Sequence, residues 1–183
     1  MDLPDGAPPA GSLPAGTPTA GSLPGGKPPA ASRISLAQMM QPEDANPHGS
    51  VHGGVIMKLV DEAGALACMR HAQHRVVTVA VDQMIFRSPI QIGNLVTLTA
   101  EVSYTGRTSL EAEVHVTAEN PITGVCTHTN TAYVVYVALD EAGRPVVVPP
   151  LLAATPAEQA RFEAGRRRQA YRLKNDNDRQ VSP

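Results

Sequence analysis

Asp61 stands where the surrounding pattern calls for a buried apolar residue. From Gly53 to about Arg70, the residues Ile56, Leu59, Val60, Ala63, Leu66 and Ala67 recur at helical spacing. On that helix the neighbours of Asp61 at i−4, i−3, i+3, i+4 and i+7 are Met57, Lys58, Gly64, Ala65 and Cys68. All but Lys58 are apolar or small, while Glu62 turns toward Lys58 and reads as solvated. A carboxylate bordering a buried stripe must be paired, hydrogen-bonded or in chemical use. It is either a structural acid satisfied by Lys58 or a main-chain group, or a reactive one.

The segment just upstream bears on that choice. His52-Gly53-Gly54 falls where the helix begins. The N–H groups of a first helical turn have no partners within the helix, and glycine lets another molecule approach them closely. The helix dipole adds positive potential at the same end. Gly53 and Gly54 therefore suit a carbonyl oxygen that becomes an oxyanion. Asn46, in the preceding loop, offers an amide donor and acceptor. Oxyanion donors, an asparagine and a half-buried acid are the parts needed to add water to an activated carbonyl.

Other chemistries fit less well. His48 and His52 have the spacing of a metal pair, but Pro47 and Gly49 argue against one helix presenting both, and no third ligand stands out. The expectation is no metal and no cofactor. Cys68 lies on an apolar helix face, which raises a thiol pKa, and no histidine is placed to activate it. The nucleophile pattern G-x-S-x-G is absent. His71 and His74 read as surface residues at a helix end.

The positioning elements follow from periodicity. Residues 33–40 form a short candidate strand and residues 41–52 a loop. After the helix, alternation takes over. Val77, Val79 and Val81 alternate with Thr78, Ala80 and Asp82; further alternating runs cover 96–104 and 110–117, and a less strict one covers 125–138. Thr105-Gly106-Arg107-Thr108 and Asn120-Pro121 with Gly124 mark reversals. Strands joined without helices must pair antiparallel, because parallel neighbours need long crossovers. One long helix is available to cover the apolar sheet face. The fold class is therefore α+β: an antiparallel sheet curled around a central helix, with edges and apolar surface that invite a second copy. Thr155, Pro156 and Glu158 then match a capping box that starts a second helix running to about Lys174. Its arginines, Arg161, Arg166, Arg167, Arg168 and Arg172, fit either a solvated face or a phosphate contact.

The chain has 183 residues and a net charge of -2, which gives no case for nucleic-acid binding. Two cysteines are too few for a disulfide framework and suit a reduced, cytoplasmic compartment. No signal-peptide pattern opens the chain, and no apolar run approaches the ~20 residues of a membrane span. Residues 3–32 are three copies of a ten-residue unit, LPDGAPPAGS, LPAGTPTAGS and LPGGKPPAAS. Their composition cannot bury enough surface to offset ordering entropy. The expected organisation is a disordered tail over 1–31, a folded domain over 32–152, and an Arg-rich helix with a frayed end over 153–183.

The stretch Asn46-Pro47-His48-Gly49, then Val51, Gly53-Gly54 and Asp61, resembles the signature N-x-x-G-x-V-x-G-G-x-x-x-x-x-x-D of the acyl-CoA thioesterases of the hotdog superfamily. "RVVTVAVDQMIFRSPIQIGNLVTLTAEV", "TGRTSLEAEVHV" and "TAYVVYVALDEAGRP" resemble it in the same order, so the similarity covers residues 33 to about 152. The resemblance implies a hotdog fold, paired as dimers and often as trimers of dimers. It implies hydrolysis of acyl-CoA to a free fatty acid and CoA at a site between subunits. Asn46 would come from one chain and Asp61 from the other, with Asp61 activating water or attacking the thioester directly. The Gly54 region would polarise the carbonyl. CoA would run along Val79-Ala80-Val81 and Thr108-Ser109-Leu110, with Arg107 or Arg87 meeting its phosphates. His52 departs from many relatives and receives no firm catalytic role. An acyl-CoA sensor without catalysis, or a thioester dehydratase, would share the fold.

Overall fold

Strict alternation over long runs produces the centre of the sheet. The computed structural model describes residues 25–82 and 84–180, with side chains as far as residue 175. Strands β1 (Ile34–Met39), β2 (Arg75–Val81), β3 (Leu95–Thr105), β4 (Ser109–Glu119) and β5 (Cys126–Leu139) form one antiparallel sheet in the order β1-β3-β4-β5-β2. Helix α1 (Gly53–Ala72) lies in its concave face. The inward set of β4, Leu110, Ala112, Val114 and Val116, is fully buried, and so is the matching set Ala132, Val134, Tyr136 and Ala138 of β5. They pack with Ile56, Val60, Ala63 and Ala67 of the helix. Each large side chain removed from water in this way contributes roughly 1.5–3 kcal/mol. The curled sheet around a central helix is the expected hotdog architecture, and helix α2 (Pro156–Gln180) completes it.

Register across β4, β5 and β2 places Leu110 opposite Tyr136 and Tyr136 opposite Thr78. The β2 register then shifts between Thr78 and Ala80. The valines that alternate along β2 do not face the core. Val77, Val79 and Val81 are exposed, at 45%, 55% and 46%. β2 is a sheet edge, and its helix-facing row carries Thr78 instead.

Helix α1 ends two residues beyond the expected position. Gln73 adopts the left-handed conformation (φ 57°) and its N–H bonds the Met69 carbonyl, an αL cap. Leu66, in the apolar periodic set, sits on the flank of the helix and is exposed. His71, expected at the surface, is instead fully buried. The segment after β5 passes over it, and His71 Nε2 lies 2.9 Å from the Pro149 carbonyl oxygen. Burial, first of all, lowers its pKa.

The third repeat belongs to the folded unit; residues 1–24 lie outside the described residues. Lys27 exchanges main-chain hydrogen bonds with Pro150 and Leu152, and its ammonium donates to the His71 carbonyl at 2.7 Å. Ser32, also buried, accepts from the Val102 N–H at 2.9 Å and donates to the Pro29 carbonyl. The sequence reading places residues 27–31 in the tail; these contacts tie them to the domain.

Helix α2 opens on the expected capping box. The Glu158 N–H bonds Thr155 Oγ1 at 3.2 Å, and the Thr155 N–H bonds Glu158 Oε2 at 2.9 Å. The helix runs past Lys174 to Gln180. Arg166 and Arg167 are exposed, as a solvated face would have them, but three of the other arginines turn onto the sheet. Arg161 pairs with Glu101, Arg168 with Glu111, and Arg172 with Glu111 and Asp82. Glu111 is fully buried and Glu101 and Glu113 nearly so, on the outward face of β3 and β4. Buried carboxylates persist only with such partners. Gly165 lets the helix approach this closely: a Cβ there would lie 2.5 Å from Tyr104 Cβ and 2.9 Å from Glu111 Oε1.

Candidate active site

Asp61 is half-buried on the face of α1 turned toward β5 and the edge strand β2. Lys58 does not satisfy it; Lys58 lies 3.6 Å from Glu62 Oε1 instead. Thr78 donates its hydroxyl to Asp61 Oδ1 at 2.7 Å. Tyr136 donates to the main-chain oxygen of Asp61 at 2.8 Å, and its hydroxyl lies 3.3 Å from Oδ1. Burial and then the Asp61 carboxylate push the Tyr136 phenol far above its ordinary pKa, so it stays a donor. Gly64 makes this contact possible. A Cβ at Gly64 would fall 2.4 Å from the Tyr136 hydroxyl. Thr78 and Tyr136 are site residues that sequence reasoning missed, because neither lies within reach of Asp61 along the chain.

The N-terminus of α1 forms a second group. His52 caps the helix, and its Nδ1 accepts the Gly54 N–H at 2.9 Å. The imidazole therefore occupies the donor that a carbonyl oxygen would use. Beside it, Val51, Gly53, Ile56, Phe86 and Pro89 line an apolar cavity of about 230 Å³.

Asn46 orders the turn that precedes this helix. Its Oδ1 accepts the N–H groups of His48 (2.9 Å) and Ser50 (3.3 Å), and its Nδ2 donates to Ser50 Oγ at 2.9 Å. Within one chain no hydrogen bond joins Asn46 to Asp61. The candidate CoA segments are also placed. Val79, Ala80 and Val81 form the outer end of the edge strand β2, with both valines exposed. Arg107, Thr108 and Ser109 lie at the β3–β4 turn, with Arg107 exposed and the Thr108 carbonyl bonded to the Ala138 N–H. Leu110 is fully buried in the core. Burial, followed by the charge of Glu111, raises the Cys68 thiol pKa, which keeps that residue unreactive.

The family model described as "Thioesterase superfamily" matches residues 48–125. Protein VdlD of Helicobacter pylori is 32% identical over 143 residues, covering 78% of this chain and 82% of its own length. The crystal structure of an apo-hexameric acyl-CoA thioesterase superposes with a TM-score of 0.79 at 34% identity, over 83% of this chain and 97% of that one. The chain belongs to the acyl-CoA thioesterase family of the hotdog superfamily. Within that family, the cytosolic acyl coenzyme A thioester hydrolase of Rattus norvegicus is 36% identical over 139 residues, covering 75% of this chain. The chain spans only 36% of that relative's length. The acyl-CoA hydrolase of Staphylococcus aureus, solved in complex with butyryl-CoA and CoA, has a TM-score of 0.74 at 28% identity, over 84% of this chain and 96% of its own. That hydrolase is also solved as alanine variants of an asparagine, an aspartate and a threonine, at positions 15 and 17 residues apart. Asn46, Asp61 and Thr78 have the same spacing.

Proposed function

We propose that this chain hydrolyses acyl-CoA thioesters, with Asp61 as the general base. The observation that carries this reading is the clamp on Asp61. Thr78 holds Oδ1, while Oδ2 accepts no hydrogen bond from any described residue. A carboxylate fixed through one oxygen can orient a water through the other. Water oxygen attacks the thioester carbon as its proton passes to Asp61, and the first-turn N–H of Gly53 stabilises the oxyanion, joined by that of Gly54 when the His52 ring swings away from it. The C–S bond then breaks, and the CoA sulfur leaves as the thiolate or takes the proton back. The shared spacing of Asn46, Asp61 and Thr78 with the altered positions of the Staphylococcus aureus hydrolase supports the same assignment.

The complete site takes two copies. The exposed valines of β2 lie on an unpaired sheet edge, which a second β2 would cover. Asn46 of one copy would then face the thioester held against Asp61 of the other, and two dimer-related sites would arise per pair. Trimers of such dimers would match the hexameric relative. CoA would run over Val79-Ala80-Val81 and the Arg107-Thr108-Ser109 turn. Likeness to the rat cytosolic hydrolase supports a cytoplasmic location. No described helix is long and apolar enough to cross a membrane.

Complementation tests the shared site. Asn46→Ala and Asp61→Ala chains are each expected to be nearly inactive. Unfolded together and refolded as mixed oligomers, they should recover about a quarter of wild-type turnover, because some interfaces then carry both intact residues. No recovery in oligomers shown to be mixed would place both residues in one chain's site.

A further inference from the structure

The third ten-residue repeat sits in a groove of its own domain, walled by α1, β3 and the segment over 147–152. Lys27 makes a parallel bridge to Leu151, through main-chain hydrogen bonds of 2.9 Å to Pro150 and Leu152. Before it, a Cβ on Gly26 would fall 2.6 Å from Leu152 Cδ2, so a side chain here would have to push that leucine aside. After it, Pro28 leads into a 3-10 turn over Pro29–Ser32, in which Pro29 and Ser32 are buried. Ser32 Oγ supplies the acceptor for the buried Val102 N–H. The wall over 147–152 also holds the β3–β4 turn from behind. The Val148 N–H bonds the Arg107 carbonyl at 3.0 Å, and the Leu151 N–H bonds Thr105 Oγ1 at 2.9 Å.

Three positions of the unit carry these contacts. The fourth must be small, the sixth is the proline that leads into the turn, and the tenth needs a hydroxyl. The main-chain bonds of the fifth position are indifferent to its side chain. Both upstream units repeat all three anchors: Gly6 and Gly16 at the fourth position, Pro8 and Pro18 at the sixth, Ser12 and Ser22 at the tenth. A composition that merely avoids building a core needs no such register. The upstream units lack the ammonium that Lys27 donates to the His71 carbonyl, having Ala7 and Thr17 there, and the second unit has Thr19 where the third has Pro29. Those changes remove one hydrogen bond and some preset turn geometry, and leave the anchors in place.

We propose that this groove is a binding site for the repeat unit as such, a glycine- and proline-rich peptide ending in serine, and that residues 13–22 fill it when residues 23–32 are absent. The second unit is joined directly to the third, so it meets the groove as an intramolecular ligand. Nothing in this assignment depends on the role of Asp61.

Thermal melting of otherwise full-length chains tests it. Deleting residues 23–32 joins Ser22 to Arg33 and sets the second unit in the register of the third. That chain should melt within a few degrees of wild type, and above the chain that lacks residues 1–32. Serine substitutions then read which unit is seated. Ser32→Ala should lower the wild-type melting temperature by about 2–10 °C, and Ser22→Ala should leave it unchanged. In the 23–32 deletion, Ser22→Ala should cost what Ser32→Ala costs the wild type. The proposal is overturned if the 23–32 deletion melts no higher than the 1–32 truncation, or if Ser22→Ala is silent in that deletion. Equal melting of the wild type and the 1–32 truncation overturns it too, since the groove would then gain nothing from any unit.

Discussion

Thr78 donates its hydroxyl to Asp61 Oδ1 at 2.7 Å, joining the edge strand β2 to the central helix at the candidate active site. The bond engages one carboxylate oxygen, and Oδ2 accepts no hydrogen bond from any described residue. The bond also ties the acid to the sheet edge, so in the proposed dimer the pairing of two copies and the aim of the base become one structural question. Tyr136 holds the same carboxyl group from the adjacent strand β5.

Gly64 is where this arrangement is most sensitive to a single methyl group. Tyr136 is fully buried, so its ring has no room to move away from a new Cβ. Gly64→Ala is expected to cost about 1–3 kcal/mol through overpacking. Turnover should fall as well, since Tyr136 and Asp61 shift together. Thermal melting and kcat on the same preparation check it; an unchanged melting temperature would mean that the tyrosine is not needed where it stands.

His52 competes with substrate for the Gly54 N–H. His52→Ala removes a helix cap, which is expected to cost about 1 kcal/mol and a few degrees of melting temperature. The same change frees the Gly54 N–H, so kcat should rise severalfold while KM stays within about threefold. A kcat drop of a hundredfold or more would instead make the imidazole a participant in the chemistry.

The two ends of the repeat segment should behave differently on truncation. Removing residues 1–24 should leave melting temperature and turnover unchanged, because that composition builds no core. Removing residues 1–32 also deletes Ser32, leaving the buried Val102 N–H without its acceptor, at a cost of about 1–3 kcal/mol. Equal melting temperatures for the two truncations would show that the docked repeat contributes nothing.

Local periodicity made the central helix, the antiparallel strands and the odd position of Asp61 legible, because each is a property of neighbours within one or two turns. The partners of Asp61 were not legible. Thr78 is 17 residues away and Tyr136 is 75, and only strand order and register bring them together. Alternation over 96–104 and 110–117 separated two faces of the sheet but said nothing about what covers the outer one, which carries Glu101, Glu111 and Glu113. Helix α2 does, so these glutamates are buried ion-pair partners. The same blindness to covering segments left His71 at the surface. On β2, two-residue periodicity suggested that the valines face the core, whereas on this edge strand they turn outward.

The kcat of Asp61→Asn is the most direct test of the central claim. The substitution keeps the shape of the side chain and its bond from Thr78 while removing the charge that takes a proton from water. Asp61 as the general base predicts a fall in kcat of about 10²–10⁴-fold over a series of acyl-CoAs. Oligomeric state and CoA binding should survive, and the melting temperature should hold or rise as a half-buried charge is lost. A kcat near that of the wild type across the series would contradict the claim and make Asp61 a structural acid.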